Sequence, residues 1–63
     1  MIEHKIEEIG SAFRGLFKRI VIREPGKSEE WCVSFIYKGE VRETPPHYSA
    51  DGALDFAINK LKE

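Results

Sequence analysis

Trp31, Val33, Phe35 and Tyr37 alternate with Cys32, Ser34, Ile36 and Lys38. Period-two spacing places four large side chains on one face of a strand, and a face that apolar has to be covered by a second layer. The stretch therefore predicts the central strand of a sheet with helices packed over it. Turn-forming pairs bound it, Pro25-Gly26 on one side and Lys38-Gly39 on the other.

Neighbouring strands follow from what flanks those turns. The β-branched run Ile20-Val21-Ile22 predicts a first strand over Arg19 to Glu24, closed by Pro25-Gly26, with Lys27 to Glu30 as a polar, solvated loop. Beyond Lys38-Gly39 a hairpin returns the chain as a third strand, Glu40 to Thr44. A two-residue and a three-residue loop put Val41 on opposite faces, and the sequence allows both. Val41 is the one side chain this strand offers to a core, while Glu40, Arg42 and Glu43 suit an exposed edge.

Two helices complete the pattern. Ile2, Ile6, Ile9, Phe13, Leu16 and Ile20 recur at spacings of 4, 3, 4, 3 and 4, an apolar seam that predicts a first helix running to about Phe17. The competing reading ends this helix near Gly10 and begins a strand at Ala12. At the other end, Pro45-Pro46 stops the third strand, and His47 and Tyr48 lead to Ser49 as N-cap. Ala50, Ala53, Leu54, Ala57, Ile58 and Leu61 then form the apolar face of the last helix. The expectation is a single domain over residues 1–63 of the α+β class. Its order is α-β-β-β-α, a three-stranded antiparallel sheet with two helices packed on one face.

That order resembles the double-stranded-RNA-binding domain, a likeness of topology over nearly the whole chain. The family reads duplex shape through its first helix, the loop between its first two strands and a lysine cluster opening its last helix. This chain has Glu3, Glu7 and Glu8, a segment containing Glu29-Glu30, and Ser49-Ala50-Asp51-Gly52 at those places. No contact residue of the family carries over.

A chain of 63 residues buries only about 60% of its unfolded surface, so stability is limited. A lone cysteine and two histidines supply neither a disulfide nor a zinc set. The longest aliphatic run is far short of the ~20 residues that cross a bilayer, and beginning at Met1 with no leader or tail the chain reads as a complete cytoplasmic gene product. The net charge of −1 argues against a dedicated nucleic-acid binder. It hides a basic centre, where Arg14, Lys18, Arg19, Arg23 and Lys27 face only Glu24.

No motif points to catalysis. Cys32 with His47 and Asp51 would be the nucleophile-and-base set, but a cysteine inside an apolar strand reads as a small buried hydrophobe. His4 and His47 lack the spacing of metal ligands, and Glu29-Glu30 and Asp51 with Asp55 read as solvated surface. Single glycines make no phosphate loop, so no cofactor and no metal is expected.

The reading that remains is a non-enzymatic protein-protein interaction domain, a regulator or inhibitor occupying a surface on a larger protein, with a homodimer expected from its small core. Candidate contacts are the outer flank of the first helix (Ile2, Ile6, Ile9), the third-strand edge at Val41, and the His47-Tyr48 loop. The alternative is a nucleic-acid-binding regulator using Arg14, Lys18, Arg19 and Arg23, with Arg14 and Lys18 one helical turn apart.

Overall fold

The computed structural model describes residues 2–63. Helix α1 spans Ile2–Ile9, where the 4-3 spacing of Ile2, Ile6 and Ile9 gives one apolar stripe and Glu3 lies in the first turn. It stops because Gly10 adopts φ +68, the left-handed conformation in which glycine ends helices. A single 3₁₀ turn, Gly10–Ala12, follows, and Phe13 is already extended at φ −67, ψ 131. The helix expected to reach Phe17 is thus cut at Ile9, and the competing reading describes the chain.

Strand β1 covers Phe13–Arg23, β2 covers Gly26–Tyr37 and β3 covers Glu40–Glu43. They form one antiparallel sheet in the order β1-β2-β3. The first strand begins six residues before the expected Arg19. Lys27 to Glu30 is paired strand rather than loop, with Ile22 opposite Lys27, Val21 opposite Ser28 and Ile20 opposite Glu29. Polar residues are tolerated there because Lys27 and Glu29 reach water, while Glu30 on the other face is buried with hydrogen-bond partners.

A bulge between Phe13 and Gly15 re-phases β1. Phe13 lies opposite Phe35 and Leu16 opposite Val33, so residues three apart face the same way. At the second turn Lys38 and Gly39 have φ 51 and 82, the pair of left-handed residues that a tight two-residue hairpin requires. This sets Val41 opposite Ile36, on the face away from the helices. Val41 is 63% exposed and gives nothing to the core.

Past β3 the chain stays beside β2. Thr44 is buried, its backbone donating to Val33 and its hydroxyl accepting from the Val33 N–H at 3.0 Å. Pro45-Pro46 steps out of the ladder, and His47 rejoins it through two backbone bonds with Trp31, 2.7 and 2.9 Å. Helix α2, Ala50–Leu61, is capped by the Ser49 hydroxyl, which accepts from Gly52 N–H at 3.0 Å.

The core lies between one sheet face and the helices. Val33 and Phe35 meet Ala53, Leu54, Ala57 and Ile58 of α2, and Ile9 of α1 closes the cluster. Alanines at 53 and 57 let α2 approach the sheet closely, and burial of Phe35 or Leu54 contributes about 1.5–3 kcal/mol each. Lys5 ties α1 to α2 through Asp55 and Asp51 at 2.9 and 3.5 Å. No helix among the described residues is long and apolar enough to cross a membrane.

Candidate interaction surface

The helices stop short of the far half of the β1-β2 hairpin. An 11-residue strand extends about 36 Å, close to the molecule's 37 Å long axis. On the helix-side face, cover ends at Trp31, which is half-buried against the core and lies opposite Lys18; beyond it come Ile20 opposite Glu29 and Ile22 opposite Lys27. Ile20 is 67% and Ile22 81% exposed. Two β-branched side chains therefore stand in water on an arm whose backbone is held only by β2. The Lys18 ammonium lies 4.8 Å from the centre of the Trp31 ring. Where arm meets body, the His47 ring packs 5.6 Å from that of Phe56.

The opposite face of the arm carries an ion pair. Arg23 donates to both carboxylate oxygens of Glu30, at 2.7 and 2.8 Å, and the Ser28 hydroxyl adds a third bond at 2.9 Å. Glu30 is fully buried. The hydrogen bond from Arg23 is the main reason its carboxyl is held below the ordinary range, winning against the opposing effect of burial. Arg23 is raised in turn, first by its hydrogen bonds to Glu30. Its guanidinium lies 5.5 Å from the ring of Tyr48, itself 77% exposed. An open cleft of about 350 Å³ separates Tyr48 from the hairpin turn Arg23–Ser28. Arg23 and Ser28 of its lining are bonded to Glu30, and Glu24 and Lys27, both exposed, add one charge of each sign.

The expected contact residues are dispersed. Ile9 is buried in the core and Ile6 packs against it, so the α1 flank expected to meet a partner is turned inward and only Ile2 reaches the surface. Val41 and Tyr48 are exposed on the sheet's far side, and His47 is half-buried beside Trp31. All four alternative nucleic-acid contacts fall on β1, which corrects the helical-turn relation of Arg14 and Lys18. Arg14 sits at the bulge, Lys18 on the helix-side face, and Arg19 and Arg23 on the other. Arg19 bonds Glu43 at 2.7 Å across the central strand, and Arg23 is held by Glu30.

Cys32 is buried on the face opposite Trp31, whereas His47 pairs with Trp31 itself, so the sheet lies between the two. His47 Nδ1 is 2.6 Å from the Pro45 carbonyl oxygen. Among the described residues no group of three His, Cys, Asp or Glu side chains is placed to hold a metal. None of their buried side-chain nitrogens or oxygens lacks a hydrogen-bond partner.

Sequence reasoning missed Glu30, Ile20 and Ile22. No apolar alternation reaches Glu30, since Lys27, Ser28, Glu29 and Glu30 are polar at every position. Compared with known proteins, the chain matches no family model, no curated protein and no solved structure.

Proposed function

We propose that this chain is a non-enzymatic protein-binding module of the cytoplasm, a regulator or inhibitor that occupies a surface on a larger protein through its projecting β1-β2 hairpin. The observation that carries the reading is the exposure of Ile20 and Ile22, side by side on an uncovered sheet face. Adjacent aliphatic side chains on a strand are ordinarily buried; left in water on a chain with so small a core, they mark a surface that gains from being covered. The Arg23–Glu30–Ser28 bonds hold the arm's polar side together without a partner.

Affinity purification from the native host, comparing the wild-type chain with an Ile20→Glu/Ile22→Glu variant, tests this directly. Both positions are exposed, so the variant should melt within a few degrees of wild type while losing a specific protein that the wild type retains. Recovery of the same proteins by both chains, with the variant folded, would remove the hairpin from the account.

A further inference from the structure

Among the described residues the outer side of β1 has no neighbour: the sheet order β1-β2-β3 leaves it at the edge for all 11 residues. Natural edges of this length are usually shortened, bulged, charged or covered, because their free N–H and C=O groups template another strand, and a charge of one sign blunts pairing with its like but not with its opposite. Here the bulge lies only at the start, between Phe13 and Gly15, and the β-branched run Ile20-Val21-Ile22 remains in regular pairing with β2. β1 is also uniformly basic, with Arg14, Lys18, Arg19 and Arg23 and no acid.

We infer that β1 captures an extended, acidic segment of a partner protein as a fourth strand of the sheet. This rests on the protein-binding reading above and names the occupant and its chemistry. The partner's backbone would satisfy the free groups of β1, and its alternate side chains would cover Ile20 and Ile22 on one face and lie beside Val21 on the other. Its carboxylates would meet Arg14 and Lys18, which are exposed and absent from the chain's own salt bridges among the described residues. The same charge disfavours a second copy as occupant, because pairing β1 with β1 sets two wholly basic strands edge to edge.

A synthetic peptide of alternating glutamate and valine is the probe, titrated into the isotope-labelled full chain and followed by amide chemical shifts and hydrogen exchange. The expected result is slowed exchange at alternate β1 amides, those not bonded to β2. Binding should weaken about tenfold for Arg14→Glu/Lys18→Glu. It should be lost when alternate peptide residues are proline, which cannot donate. An alternating lysine-valine peptide that binds equally well would overturn the inference. So would a proline peptide that binds equally, or shifts at Ile20 and Ile22 with no protection of β1 amides. This last outcome leaves the hairpin surface standing and removes only strand addition. Failure of the surface itself reads out separately, as a host protein retained by the Ile20→Glu/Ile22→Glu variant.

Discussion

Glu30 is out of water with Arg23 and Ser28 donating to its carboxylate, and that arrangement has a definite pH sign. A carboxyl held below its ordinary value of 4.5 stabilises the fold above that pH and loses the contribution as pH falls through the lowered folded value. Melting temperature should therefore drop as the solution is acidified below 4.5, and Glu30→Gln should flatten that part of the profile while lowering stability at neutral pH. An unchanged acid limb in Glu30→Gln would mean the pair contributes nothing. Lys5, raised above 10.5 chiefly by its hydrogen bond to Asp55, works in the opposite direction: its contribution is lost as pH climbs through the alkaline range. Phe35 is the other decisive side chain, almost wholly buried between β2 and α2. Phe35→Ala should cost about 3–5 kcal/mol, against a total stability of about 3–9 kcal/mol for a chain this size, so the melting temperature followed by far-ultraviolet circular dichroism should fall by more than about ten degrees. Phe35 was legible because alternation names the inward face. Glu30 was not, because two adjacent acids in a polar stretch look like loop unless the pairing of that stretch is known.

Among the elements, the first third of the chain shows how two structures can share one pattern. The seam Ile2, Ile6, Ile9, Phe13, Leu16, Ile20 has helical spacing throughout, yet only its first three members are in a helix. The β1 bulge puts Phe13 and Leu16 on one face although they are three apart, and Leu16 and Ile20 share a face in a strand because four is even. A bulged strand thus reproduced a helical spacing, and the deciding residue was Gly10. Its left-handed φ gives a prediction whose sign separates the two structures. Were residue 10 in a helix interior, Gly10→Ala would stabilise by about 0.5–1 kcal/mol. At φ +68 the same change should destabilise by about 1–2 kcal/mol, measurable by denaturant unfolding. The last helix was read correctly from its cap to its buried face, since Ser49, Ala53, Leu54, Ala57 and Ile58 meet no competing pattern.

For the molecule as a whole, the order of elements and the covered sheet face followed from sequence, whereas the length of the hairpin arm did not. Its polar half has no periodic apolar signal, and pairing alone defines it. The arm also changes how the charge is displayed. The basic residues that cluster in sequence are divided between two sheet faces, and Arg19 and Arg23 already face Glu43 and Glu30. Phosphate contacts gain from several free cations in one array that displace counterions from the nucleic acid, and among the described residues only Arg14 and Lys18 are exposed β1 bases without a carboxylate partner. α1 adds Glu3, Glu7 and Glu8 to the same molecule, all exposed. Nucleic acid, duplex or single-stranded, should therefore bind weakly at low salt and be released near physiological ionic strength, where the Debye length is about 8 Å. Fluorescence anisotropy with labelled RNA and DNA measures this. Submicromolar affinity that persists at that salt and collapses on Arg19→Glu would show that the Arg19–Glu43 pair opens to a phosphate, and would move the molecule from protein binding to nucleic-acid binding.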